Sequence, residues 1–274
     1  MMEKSRIRKA VVAGQFYPSL KEDIFSQIES FIDNKAEKCD GLACVLPHAG
    51  YMYSGKVAVE TISRLKVRKK IILLGPNHTG YGARFSLMSE GVWMTPLGQV
   101  KIAEVLAKGM LSGSKYLKSD HLAHDYEHSL EVELPILQYF NPDFEIVPVT
   151  ILSQDKTALK DLGREIAEAV KVSDNPNDIM IIASSDMTHY EPQKQAEQKD
   201  KEAIEAILSL DEERLFDKVK RLNITMCGYA AVIVMLSAVK LLGAKSAKLV
   251  SYMTSGQASG DYESVVGYAG IIIS

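Results

Sequence analysis

Cysteine is scarce in this chain of 274 residues, with only Cys39, Cys44 and Cys227. An odd number without a CxxC pair excludes a disulfide framework, a cysteine-rich zinc module and an iron–sulfur cluster of the chain's own. Any cysteine that matters here does so as a thiol. Basic runs are missing too: 32 Lys and Arg face 35 Asp and Glu, a net charge of −3, and no stretch could track a phosphate backbone. Nucleic acid is therefore not an expected partner. The longest apolar run, Tyr229 to Val239, is stopped by Lys240, far short of the roughly 18 residues of a membrane span. At the N-terminus, Lys4, Arg6, Arg8 and Lys9 are followed by apolar residues only from Ala10 to Ala13, too few for a secretory signal. These absences read as a cytoplasmic protein that does not enter membranes. No Walker loop, GxGxxG or GxSxG occurs, which removes the obvious phosphate-loop, dinucleotide and serine-hydrolase readings.

What is present is an ordinary globular composition, with 46% hydrophobic and 24% charged residues, so a sizeable core is available and disorder is excluded. Short runs rich in Val and Ile at 42–46, 71–74, 145–151, 178–183, 247–253 and 265–273 have the length of buried strands. Segments of helical period separate them, at 19–33, 55–65, 98–111, 129–139, 155–171, 194–208, 211–221 and 227–242, with Ser19, Ser54 and Thr225 as candidate caps. The alternation predicts an α/β fold: one three-layer α/β/α domain over 1–274, with a largely parallel or mixed central sheet. Neither polar stretch, 34–41 or 173–178, is long enough to be a domain linker. The stretch from Asn77 to Leu97, with three glycines and the run Thr95-Pro96-Leu97-Gly98 at its end, reads as a long functional loop.

Only six histidines occur, and three of them follow predicted strands. His48 comes after 42–46, His78 after 71–74 and His189 after 178–183, so each sits at the carboxyl edge of a parallel sheet, where ligands bind. One such histidine is ordinarily a loop residue with a satisfied hydrogen bond; three at one edge predict a metal site. The segment from His121 to His128 offers a rival cluster, since a helix there would align His121, His124 and His128. The amphipathic pattern starts only at Ser129, however, which leaves His128 beside a helix start, placed to orient a ligand or move a proton, and His121 at the surface. Glu127, Glu131 and Glu133 add carboxylates, and Glu133 reads as part of an exposed helix face. Cys227 precedes the apolar helix, where a helix N-terminus favours the thiolate; a nucleophile, a soft metal ligand and an inert buried cysteine all remain open. Asp186, three residues before His189, could orient an imidazole, share a proton or bind metal.

Several segments together carry a family resemblance. They are Ala13-Gly14-Gln15-Phe16-Tyr17-Pro18, Pro47-His48-Ala49-Gly50-Tyr51-Met52-Tyr53-Ser54-Gly55, Gly75-Pro76-Asn77-His78, Thr95-Pro96-Leu97-Gly98, Glu127-His128-Ser129-Leu130-Glu131, Ser184-Ser185-Asp186-Met187-Thr188-His189-Tyr190 and Cys227-Gly228. Nearly end to end, the chain resembles the Memo family, and more closely its prokaryotic members, often called AmmeMemoRadiSam system protein B. That family is similar in fold to class III extradiol dioxygenases. The resemblance implies metal ligands at His48, His78 and Cys227, with Asp186, His189 and His128 lining the same pocket as proton-moving and orienting groups. It implies iron(II) or copper, with zinc a lesser candidate, because a thiolate stands where the dioxygenases use a carboxylate. It also implies a small-molecule or peptide ligand, and association with a radical-SAM enzyme and the system's A protein. Two other uses of the pocket follow from the resemblance: a binding or scaffold module for a peptide or partner, and a zinc-dependent hydrolase.

Overall fold

Strands buried on every residue form the centre of the molecule: all of Ala43–Leu46 and Ile179–Ser184 is inaccessible, as expected of parallel strands covered on both faces. The computed structural model describes residues 6–32 and 37–274; Lys4 and the first part of the polar stretch 34–41 lie outside the described residues. In chain order the strands are β1 (Ile7–Arg8), β2 (Ala43–Leu46), β3 (Lys70–Pro76), β4 (Phe85–Leu87), β5 (Val92–Thr95), β6 (Gly98–Ile102), β7 (Lys118–Ser119), β8 (Glu145–Ile151), β9 (Ile179–Ser184), β10 (His189–Glu191), β11 (Ala247–Thr254) and β12 (Val265–Ile273). The sheet runs β1-β5-β6-β8-β3-β9-β2-β12-β10, with β11 on β12 and β4 on β8. Pairs β6/β8, β8/β3, β3/β9 and β9/β2 are parallel, while β12 runs antiparallel to both β2 and β11, so the sheet is mixed.

Helices cover both sides. On one, Tyr229–Leu241 lies across β2, β3, β8 and β9, with Lys156–Lys171 packed outside it. Sandwiched in this way, Tyr229 to Val239 is buried all round, which explains an apolar run with no polar stripe. On the other, Lys56–Ser63 packs on β2, β11 and β12 beside Lys21–Phe31 and Glu133–Phe140. Among the described residues no helix is long and apolar enough to cross a membrane.

The stretch from Asn77 to Leu97 is not the irregular loop its glycines suggest. It contains β4 and β5, with Gly80 and Gly82 before β4 and Gly91 between the two strands, all three at positive φ. The predicted helix at 98–111 splits, because Gly98–Ile102 buries Val100 and Ile102 with strand period and pairs with β5 and β8; the helix begins at Glu104. The segment after His128 makes a turn before its helix begins at Glu133. The expected caps do not cap: Ser54 Oγ donates to Ala49 O, Thr225 Oγ1 accepts from His189 N, and the helix at Lys21 follows Leu20 with no side-chain cap. Asp155 and Asp211 cap their helices, each accepting the backbone N–H three residues on.

Candidate metal centre

Strands β3, β9 and β2 are adjacent and parallel, so their carboxyl ends open on one edge. Just past those ends stand His78, Asp186 and His48, and the turn before Tyr229–Leu241 brings Cys227 to the same place. His48 Nε2 lies 3.3 Å from Cys227 Sγ. One donor atom each from His48, His78 and Cys227 falls within 4.8 Å of the others. Above them is a cavity of about 630 Å³, lined by His48, His78, His128, Asp186 and His189, with Phe16, Tyr53, Tyr190 and Tyr268 as aromatic walls. Thus the six residues singled out in the sequence meet at one point. The rival cluster does not form, because the helix at Leu122–Asp125 is only 4 residues long. His121 faces Asp125 at the half-exposed surface, and buried His124 stands edge-on to Trp93.

The hydrogen bonds decide what each imidazole can do. His78 Nδ1 is 2.9 Å from Glu127 Oε1, and His189 Nδ1 is 2.8 Å from Met187 O and 2.9 Å from Thr225 O. Carbonyl and carboxylate oxygens only accept, so Nδ1 is the donor in each ring, which leaves Nε2 as the nitrogen free of these contacts. His48 Nδ1 meets Ser184 Oγ at 2.8 Å, and that hydroxyl also lies 2.8 Å from Ser129 O. Burial first, then the neighbouring His78, His128 and His189, holds His48 well below the ordinary imidazole range, so it is neutral. His128 stacks on His78, with ring centroids 4.6 Å apart, and meets Phe16 at a tilt, 4.7 Å away; burial lowers it in the same sense.

Two carboxyls support this set. Burial works against ionised Glu127, yet the His78 ring and the Ser129 N–H hold its carboxyl down to about 2. His78, Glu127 and His128 could also gather a cation, but Glu127 already accepts from the ring and backbone of His78 and from Ser129, which makes it the group that orients His78. Asp186 differs from expectation. Its Oδ1 accepts His48 N at 2.8 Å, so it fixes the His48 backbone, while the His189 ring is oriented by Met187 O and Thr225 O. Burial raises the Asp186 carboxyl above its usual range.

Cys227 also departs from the sequence reading. Burial, and then the Asp186 carboxylate, raise its thiol, outweighing the helix terminus that was expected to favour the thiolate. A cation at the three donors would reverse that balance. Two imidazoles whose Nδ1 atoms are engaged elsewhere, and a thiol receiving the Asp186 N–H at 3.3 Å, fit a transition metal. Two supporting residues escaped the sequence reading. Ser184 was part of a motif without a role, and Glu133, expected at the surface, is buried with Oε1 2.8 Å from Ser184 Oγ. The available signal was Leu130 to Leu137, where apolar residues flank Glu133 on every side and leave no exposed face.

A mixed α/β sheet with a His-His-Cys cluster at its carboxyl edge defines the class of protein. Comparison with known proteins narrows it: residues 8–272 match the family described as Memo-like protein. The chain is 41% identical over 269 residues to a MEMO1 family protein of Methanosarcina mazei, covering 97% of this chain and 99% of that one. It is equally similar, at 41% over 269 residues and with the same coverage, to a MEMO1 family protein of Aquifex aeolicus. The chain therefore belongs to the Memo family. Its fold is also similar to the crystal structure of an uncharacterized protein from Escherichia coli K12, with TM-score 0.55, 15% identity, and coverage of 83% of this chain and 98% of that one.

Proposed function

We propose that this protein holds iron(II) or copper through His48, His78 and Cys227 and acts as a non-haem metal-dependent oxidoreductase on a small molecule bound in the cavity. The observation that carries the reading is the convergence of the three donor atoms within 4.8 Å from three separate elements. The bound metal would supply redox chemistry and Lewis acidity; zinc would supply only the latter. The chain's own contributions are distinct. His189 offers its Nε2 for proton transfer at the cavity wall, because its Nδ1–H is held by two carbonyls. His128, neutral and stacked on His78, is the second group that can move a proton. Asp186 fixes the backbone of His48, and Phe16, Tyr53 and Tyr268 exclude water from one side of a ligand.

A second reading makes the cavity a peptide or partner site, and exposed Tyr190, 76% accessible at its wall, favours some contact there. The charge of the lining argues against a phosphorylated ligand: it includes Asp186 and Asp261 and no Lys or Arg among the described residues. As a member of the prokaryotic system the protein would work in the cytoplasm beside a radical-SAM enzyme and the system's A protein. The test is metal content after anaerobic loading with iron(II), copper(I) or zinc. Near-stoichiometric iron or copper in the wild type, lost in His48→Ala and in Cys227→Ala, is the expected result. Wild-type metal content in the double variant would sink the assignment, and partner binding that survives without metal would favour the second reading.

A further inference from the structure

Glu133 is buried, and no cation among the described residues meets it. It stands at the start of the helix Glu133–Phe140, its Oε1 is 2.8 Å from Ser184 Oγ, and its Oε2 has no hydrogen-bond partner among the described residues. The titratable groups that act on it or are acted on by it are Asp186, Cys44 and Tyr51. Glu131, two residues earlier, is the contrast: it pairs with Arg8 and accepts the Tyr17 hydroxyl and the N–H groups of Val11 and Val12, the surroundings of an ionised carboxylate. Burial outweighs the Ser184 contact and, with Asp186 adding to it, pushes the Glu133 carboxyl well above the usual range.

The hydrogen count at Ser184 decides the matter. Its hydroxyl has one hydrogen and two lone pairs, and three partners stand at 2.8 Å: Ser129 O, Glu133 Oε1 and His48 Nδ1. Ser129 O can only accept. If Glu133 were a carboxylate, two acceptors would compete for one hydrogen, and one would remain buried and unsatisfied. A carboxylic acid removes the conflict, because Glu133 then donates to Ser184, Ser184 donates to Ser129 O, and His48 Nδ1–H donates to Ser184.

We propose that Glu133 is a neutral carboxylic acid that donates to Ser184, whose hydroxyl then donates to Ser129 O and accepts from His48 Nδ1–H, an arrangement that locks the His48 ring with its bare Nε2 toward Cys227. Glu133 is thus a positioning residue, two bonds removed from the ring it holds. It adds no second negative charge behind Asp186, and His48 remains a neutral imidazole without imidazolate character. The effect on affinity rests on the metal reading above. The protonation and the tautomer are properties of the chain itself and are read without metal.

Infrared difference spectroscopy of the metal-free full-length chain at about pH 7, wild type against Glu133→Gln, is the direct test. A protonated-carboxyl band present in the wild type and lost in the variant is expected. A difference confined to carboxylate bands would overturn the proposal. Isotope-edited NMR should find the His48 proton on Nδ1 in both proteins, since the Gln amide also donates to Ser184; a proton moved to Nε2 in the variant counts against it. If Glu133→Gln does not fold, NMR of wild type labelled in its glutamate carboxyls reads the same group, and all of them in the carboxylate form near pH 7 is the negative outcome. For metal, Ser184→Ala should weaken binding by about 10- to 100-fold while Glu133→Gln binds as the wild type does. Weakening by Glu133→Gln comparable to Ser184→Ala would indicate a carboxylate relay instead. A chain that binds no metal yet keeps the protonated band refutes the functional reading and leaves this one standing.

Discussion

A histidine acts as ligand or base only through a nitrogen that carries no proton, and here the choice of nitrogen is made by a neighbour. Glu127, Ser184, Met187 O and Thr225 O each occupy an Nδ1 and so leave Nε2 as the nitrogen for a ligand or a proton. His124 lacks such a role and gives the clearest pH signature. Burial, then the charge of Arg8, lower it from 6.5 to about 4. The unfolded chain binds a proton below pH 6.5 that the folded chain refuses until about pH 4, so stability present above that window falls by up to about 3 kcal/mol as pH drops through it. In His124→Gln this part of the acid limb should be missing from urea midpoints measured across the window; an unchanged limb would refute the assignment. At this scale the histidines were legible because each follows a strand. Glu133 was not, because a carboxyl beside Glu131 suggests a solvated face until the surrounding Leu130, Val132, Leu134 and Ile136 are seen to be buried too.

Elements carry the site by close approach. A Cβ on Gly228 would lie 2.3 Å from Ser184 O and 2.6 Å from Ser185 Cβ, so only glycine lets the turn before Tyr229–Leu241 press Cys227 onto the end of β9. Gly228→Ala should destabilise by about 1–3 kcal/mol and weaken metal binding, since the backbone that places Cys227 must move. Gly109→Ala, where a Cβ meets nothing within 4 Å, is the control. It should leave metal binding unchanged and stabilise its helix by up to about 1 kcal/mol, both read from denaturation midpoints and metal titration. Long strands and helices were legible from period and length. The region 77–102 was not: β4 and β5 have 3 and 4 residues, too few for a periodic signal, and Gly98 masked the start of β6.

Across the whole molecule the N-terminal segment is tied to the wall of the site by one buried cation. Arg8 pairs with Glu131, donates to Glu127 O at 2.6 Å and His124 O at 3.0 Å, and lies 4.3 Å from the Trp93 ring centroid. Arg8→Ala leaves Glu131 buried and uncompensated, so a loss of about 3–5 kcal/mol in denaturant unfolding is expected. Arg6→Ala, which breaks only the exposed pair with Asp125 at 3.4 Å, should change stability by less than about 1 kcal/mol.

The amino-acid sequence by itself determined the α/β class, the main strands and the delivery of three histidines to one sheet edge, because period and strand ends are local properties of the chain. Only the tertiary structure decided which nitrogen each histidine presents, that Cys227 faces His48, and that Glu133 turns inward. The contacts responsible join residues 49, 136 and 179 positions apart, and no local pattern encodes such a pairing. They exist because parallel strands far apart in sequence end side by side.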